Sequence, residues 1–100
     1  MLEIRILSGA RAGQVDRFEQ GVIVVGRHAT VDLRFSPEQD LDVSGRHAEI
    51  RLTDGKYVLH DAGSTNGTFV NGESIQEKQL NQGDRLTLGQ NSVHFAVLGA

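Results

Sequence analysis

Three short segments of this 100-residue chain combine side chains that can bind a phosphate group. Gly26-Arg27 comes first, Ser44-Gly45-Arg46-His47 follows, and the third segment runs from residue 61 to residue 72. A guanidinium offers forked donors with a fixed charge, hydroxyls and glycine-rich backbone add neutral donors, and an amide side chain carries both a donor and an acceptor. This chemistry suits a phosphate group carried on an extended peptide.

Ser44, His47 and Asp61 are also the residue types of a hydrolytic triad. However, the chain has no Gly-x-Ser-x-Gly turn, and a three-residue spacing along a strand would direct Ser44 and His47 to opposite faces. A buried neutral imidazole can instead donate from one nitrogen and accept at the other, which would hold a neighbouring loop in place. The pattern favours a structural His47, and a small hydrolase is the least favoured hypothesis.

Composition limits the chain to one small globular domain. Its net charge of −3 and its scattered basic residues argue against binding to nucleic acid or to an anionic membrane. Four histidines without cysteine, and without metal-ligand spacing, predict neither a metal site nor a disulfide. Since the chain also has no apolar run of about 18 residues and no signal-like start, we expect a cytoplasmic location.

Apolar and polar residues alternate with a period of two in several parts of the chain. Segments 2–6 and 93–97 show this pattern, and Ala48, Ile50 and Leu52 share one predicted buried face. Glycine-bearing breaks, several of them Asn-Gly or Asp-Gly, separate these segments as hairpin turns do. We predict ten or eleven short strands with little or no helix. Such a series predicts an all-β fold, a β-sandwich of two antiparallel sheets.

The order of the polar motifs resembles that of the forkhead-associated (FHA) domain. Gly26-Arg27 precedes Ser44-x-x-His47, which is followed by Ser64-Thr65-Asn66-Gly67-Thr68 and then by Asn71-Gly72. The resemblance implies a sandwich of about eleven strands that recognises phosphothreonine in an extended peptide through loops at one end. It covers nearly the whole chain, which we interpret as a single FHA-like domain over residues 1–100 with its core at residues 22–98.

The resemblance also implies a division of roles among the site residues. Arg27, Ser44 and Thr65 are expected to bind phosphate, and Asn66 to bind the main chain of the ligand. This division is chemically reasonable, because an amide matches the alternating C=O and N–H groups of an extended peptide whatever its sequence.

A second group of residues is expected to contact the ligand less directly or to support the site. The additional contacts are Gly45, Arg46 and Ser64, and the structural supports are Gly26, His47 and Gly67. Gly45 stands where many family members carry a polar or basic side chain that also touches phosphate, so one contact of the family is missing here.

Three acidic residues precede Ser44, namely Glu38, Asp40 and Asp42. At the edge of a phosphate pocket they would repel acidic residues of a ligand and attract basic ones. The sequence therefore predicts that acidic ligands are disfavoured.

The leading hypothesis is a non-catalytic module in kinase-linked signalling. Its expected partner is a threonine-phosphorylated protein segment, in a kinase or a kinase substrate, and we expect a monomer without cofactor. The alternative is a phospho-independent interaction or self-association domain on the same fold.

Overall fold

The computed structural model describes residues 1–90 and 93–100, and all the regular structure found there is β-strand. No helix in the described part of the chain is long and apolar enough to span a membrane. The eleven strands are β1 (Leu2–Ile6), β2 (Val15–Phe18), β3 (Val22–Gly26), β4 (Leu33–Arg34), β5 (Ala48–Thr53), β6 (Lys56–Asp61), β7 (Thr68–Val70), β8 (Glu73–Ser74), β9 (Glu77–Gln79), β10 (Arg85–Leu88) and β11 (Val93–Gly99).

The strands form two sheets, as the sequence predicts. One sheet has the order β2-β1-β11-β10-β7-β8 and the other the order β4-β3-β5-β6-β9. The prediction of a sandwich of two antiparallel sheets is confirmed; the pairing of β3 with β4 is parallel, with Val25 opposite Leu33. After β3 the chain loops back through residues 27–32 and re-enters the same sheet edge in the same direction.

The inward faces of both sheets form one hydrophobic core. The alternation in segments 2–6 and 93–97 is confirmed, since the apolar residues of β1 and β11 are buried. Ala48 and Ile50 are buried as well, but Leu52 is 42% exposed, so its predicted burial is wrong. The last three residues of β5 are all exposed, which shows that this strand runs past the core towards its hairpin.

Strand register brings three loops to one end of the sandwich. Ala48, at the start of β5, lies opposite Val25 near the end of β3 and opposite Asp61 at the end of β6. The loops at residues 27–32, 35–47 and 62–67 therefore leave the sheets side by side.

Candidate functional site

Arg27 is fixed where β3 ends. Its backbone N–H donates to the carbonyl oxygens of Ser44 (3.2 Å) and Gly45 (3.0 Å). Its side chain donates from Nε to the carbonyl of Val43 and from Nη1 to the carbonyl of Pro37 (3.0 Å). Because a guanidinium has five N–H donors, these two bonds orient the group and leave three donors for a ligand.

Gly26 allows the loop to approach β3 closely. A Cβ atom on Gly26 would lie 2.1 Å from the carbonyl oxygen of Gly45, which real side chains essentially never do. That same oxygen accepts the backbone N–H groups of Arg27 and His28, both at 3.0 Å. The support expected from Gly26 therefore has a steric basis: only glycine lets these bonds form.

His47 connects two of the loops. Its Nδ1 accepts the backbone N–H of Ser44 (2.9 Å), and its Nε2 lies 2.7 Å from the carbonyl oxygen of Gly67, so the neutral Nε2–H tautomer fits both partners. The side chain is 0% exposed. Burial lowers the pKa of His47, against the opposing effects of the Gly67 carbonyl and the charges of Asp61 and Asp42. The imidazole is a neutral brace, as the sequence suggested.

Ser44 and His47 do not form a nucleophile and base. The Ser44 hydroxyl accepts the backbone N–H of Thr65 (3.1 Å), while both imidazole nitrogens bond to backbone groups. The expectation that Ser44 lies at the start of a strand is wrong, because Ser44–His47 form a turn and β5 begins only at Ala48. This geometry contradicts the hydrolase hypothesis.

Asp61 organises the loop at residues 62–67. Its Oδ1 accepts the hydroxyls of Ser64 (2.5 Å) and Thr68 (2.6 Å), and its Oδ2 accepts the backbone N–H groups of Gly63 and Ser64, both at 3.2 Å. Burial by itself raises the pKa of Asp61, but these hydrogen bonds outweigh burial and lower it below its usual value. The Ser64 hydroxyl also accepts the N–H of Gly67 (3.1 Å), so Ser64 braces the loop from within.

Thr65 and Asn66 occupy the outer part of this loop. Thr65 is exposed. The Asn66 side chain donates from Nδ2 to the carbonyl of Asp42 (3.1 Å), which leaves its second N–H and its Oδ1 for a ligand.

A cavity of about 270 Å³ brings together the four residues predicted to bind phosphate or the peptide main chain; it is lined by Arg27, Leu41, Asp42, Val43, Ser44, Gly45, Thr65 and Asn66. It is slightly smaller than typical small-molecule pockets, which suits a single charged group on a larger ligand. A larger cavity of about 420 Å³ lies elsewhere and is lined by Phe69, Gly72, Thr87, Gly89 and Gln90. Because none of the described residues that line the larger cavity is charged, the smaller one is the candidate phosphate site.

The predicted acidic edge is only partly present. Asp40 is 2% exposed and accepts the backbone N–H groups of Ser36 (3.0 Å) and Ala10 (3.4 Å), so its predicted position beside the ligand is wrong. Asp42 does line the cavity, but its Oδ2 accepts the N–H of Gln90 (2.7 Å). A carboxylate that can satisfy loop backbone donors is drawn inward, which the sequence pattern did not reveal.

Other features of the site were also not predicted from the sequence. The carbonyls of Val43 and Pro37 orient Arg27, yet a backbone acceptor leaves no trace in residue type. The inward role of Asp61 could have been found, because Asp three residues before Ser64 is the signature of a side-chain-capped turn. Arg46 is exposed and is not among the residues that line the cavity.

Comparison with known sequences agrees with this geometry. A family model described as the FHA domain matches residues 23–89. An oxoglutarate dehydrogenase inhibitor from Corynebacterium efficiens is 37% identical over 82 residues, which are 82% of this chain and 56% of the relative. The glycogen accumulation regulator GarA of Mycolicibacterium smegmatis is 38% identical over 82 residues, 82% of this chain and 50% of the relative. The chain thus spans about half the length of these curated relatives.

Solved structures share the whole fold. The FhaA FHA domain in complex with the intracellular domain of Rv3910 superposes with a TM-score of 0.84 at 33% identity, covering 97% of this chain and 99% of that one. A structure from a study of phosphothreonine-dependent FHA domain interactions gives a TM-score of 0.83 at 34% identity, covering 96% and 93%. The likeness therefore extends well beyond the motifs.

Proposed function

The chain belongs to the FHA domain family, and on this premise we propose that it binds a threonine-phosphorylated protein segment as a non-catalytic docking module in kinase-linked signalling. One observation carries the proposal: Arg27, Ser44 and Thr65 meet at a single cavity. Around it, the buried side chain of His47 and the partly buried side chain of Asp61 hold the loop backbone.

Each of the three phosphate-binding residues has a donor to offer. Arg27 keeps three N–H groups beyond those that bind Val43 and Pro37. The Ser44 hydroxyl accepts from Thr65, so its own hydrogen can be donated to a phosphate oxygen. The exposed Thr65 hydroxyl supplies a further donor. Charge-assisted hydrogen bonds of this kind are worth about 1.5–3 kcal/mol each.

Asn66 supplies sequence-independent affinity for the peptide. Its amide is tied to the Asp42 carbonyl by one N–H, so the plane of the group is fixed while Oδ1 and the other N–H remain for the ligand main chain. The names of the relatives, an enzyme inhibitor and a regulator, support a binding role. We propose that the phosphorylated segment belongs to a kinase or a kinase substrate, and that the domain binds as a monomer.

The test is titration with peptides fixed only at a central phosphothreonine, compared with the same peptides carrying threonine. Wild type should prefer the phosphorylated form strongly, and Arg27→Ala should weaken binding by roughly ten- to a hundredfold. Arg5→Ala is the matched control, because Arg5 is an exposed arginine in β1, on the other sheet.

Equal binding of phosphorylated and unphosphorylated peptides would overturn the proposal. It would favour the alternative, a phospho-independent interaction or self-association domain. Retention of a captured partner after phosphatase treatment would point the same way.

A further inference from the structure

The entrance to the candidate phosphate site is open on one side. Gly45 lines the cavity, and a Cβ atom placed on it would meet no atom within 4 Å. Arg46 follows directly and is exposed. Its side chain makes no hydrogen bond or ion pair with any residue that the structure describes.

Among the described residues, five of the other seven arginines have a side-chain acceptor, and only Arg5 and Arg85 share the unpaired state of Arg46. Three form ion pairs with a neighbouring carboxylate: Arg11 with Asp16, Arg17 with Glu3 and Arg51 with Glu49. Close to the site, Arg34 donates from Nε to the carbonyl of Arg27 (3.2 Å). An arginine presents a planar fork that matches a carboxylate, and beside Arg46 none of the described residues supplies one.

The backbone of the turn that carries Arg46 is held by hydrogen bonds, whereas the Arg46 side chain is not. The Ser44 N–H bonds to the buried His47 ring, and the Gly45 carbonyl accepts two backbone N–H groups. The backbone of Arg46 is therefore held in place directly after Gly45, which lines the cavity.

Two other residues that line the cavity have a different character. Leu41 is 66% exposed, and Asp42 is acidic. A ligand carboxylate would be repelled on the Asp42 side and attracted on the Arg46 side. The inward position of Asp40 removes one of the charges that had suggested a general aversion to acidic ligands.

We propose that Arg46 selects an acidic residue flanking the phosphothreonine, on the side of the peptide that passes over Gly45. This inference rests on the proposed function, and it reverses for that side the aversion to acidic ligands predicted from the sequence. Because Arg46 is a rim residue in water, the expected preference is about three- to fivefold.

The experiment uses phosphothreonine peptides that differ only by glutamate or glutamine at successive positions on either side of the phosphorylated residue. Wild type should prefer glutamate on one side only, by about three- to fivefold, and less at high salt. Arg46→Gln should abolish that preference while leaving the glutamine peptides almost unaffected. Arg5→Gln, a matched loss of an exposed arginine in β1, should retain it.

Two outcomes would overturn the inference. The first is equal weakening of glutamate and glutamine peptides by Arg46→Gln, which would make Arg46 a phosphate contact. The second is the absence of a glutamate preference at every position. In both cases wild type would still discriminate phosphorylated from unphosphorylated peptides, whereas failure of the proposed function would abolish that discrimination itself.

Discussion

The two ends of β5 are closed in different ways. At the far end, β5 turns into β6 through Asp54 and Gly55, which both have positive φ (51° and 78°). This is the conformation of a tight two-residue hairpin turn. At the near end, the chain enters β5 through the Ser44–His47 turn, which depends on a buried imidazole that also holds Gly67 of the neighbouring loop.

The difference follows from what each end has to do. A two-residue hairpin only reverses the chain, so backbone conformation is sufficient. The recognition loops must keep hydroxyl and guanidinium donors facing outward, and their backbone groups cannot all pair with strands. The buried side chain of His47 and the partly buried side chain of Asp61 satisfy those groups instead. The near end should therefore be far more sensitive to substitution than the far end.

The largest difference in stability is expected between alanine substitutions at two glycines, Gly26 at the end of β3 and Gly21 just before its start. Gly26→Ala forces a Cβ to within 2.1 Å of the Gly45 carbonyl oxygen, and should lower the free energy of unfolding by about 3 kcal/mol or more. Gly21 lies at the far end, where a Cβ meets nothing within 4 Å and φ is not positive. Gly21→Ala should therefore change the free energy of unfolding by less than about 1 kcal/mol. Urea denaturation of both variants measures this.

Similar unfolding free energies for Gly26→Ala and Gly21→Ala would contradict the contrast. They would mean that the Ser44–His47 turn can move away from β3 at little cost. Phosphopeptide titration of Gly26→Ala would then show whether the displaced turn still binds.

A pH dependence should arise at the near end from His47. Burial lowers the pKa of His47 in the folded protein, whereas the unfolded histidine titrates near 6.5. Below pH 6.5 the unfolded state therefore binds a proton that the folded state does not, and stability falls by at most about 1.4 kcal/mol per pH unit. Urea denaturation between pH 7.5 and 5.5 should show this decrease, and His28→Ala, at an exposed turn, should retain it.

His47→Ala tests whether that decrease belongs to His47. The variant should be less stable than wild type at pH 7.5, because the Ser44 N–H and the Gly67 carbonyl lose their partner. Its remaining stability should depend less on pH over the same range. An unchanged slope would assign the dependence to other groups.

An aspartate-to-asparagine substitution can be made at each end of the sandwich, at Asp61 and at Asp54, to compare the stability of the two ends. Asp61→Asn should lower the unfolding free energy by about 1–2 kcal/mol, because a neutral amide accepts more weakly from the hydroxyls of Ser64 and Thr68. Asp54→Asn should change it by less than about 0.5 kcal/mol, since asparagine tolerates the positive φ of this turn. Thermal unfolding at neutral pH compares the two.

Phosphopeptide binding gives a second comparison of Asp61→Asn and Asp54→Asn. Asp61→Asn should also weaken phosphopeptide binding, because the loop carrying Thr65 and Asn66 loses its anchor, whereas Asp54→Asn should bind as wild type does. Equal losses at both positions would show that the anchor at Asp61 is not specific to the recognition end.

Sequence alone predicted the parts of the molecule that depend on local pattern. Alternation identified β1 and β11, and the resemblance in motif order pointed to Arg27, Ser44 and Thr65, which the fold does bring to one cavity. The errors depend on distant contacts. Asp40 accepts the nearby backbone N–H of Ser36 (3.0 Å) and also that of Ala10 (3.4 Å), thirty residues away, and no local pattern records the second contact.

The same limit applies to other features that the sequence did not reveal. The exposure of Leu52 follows from where the core ends along β5, and the parallel pairing of β4 follows from the path of the preceding loop. The internal role of Ser64 depends on the inward position of Asp61.

The smallest expected effect is a gain in phosphopeptide affinity from a substitution at the near end. Gly45→Arg places a cation at the cavity, at a position where an added Cβ atom meets no atom within 4 Å and φ is not positive, so the fold should tolerate it. Phosphopeptide affinity should rise about threefold, since a partly solvated charge adds little. Gly21→Arg adds the same charge at the far end and should leave affinity unchanged. Equal gains in both variants would mean that net charge, and not the position of Gly45, controls binding.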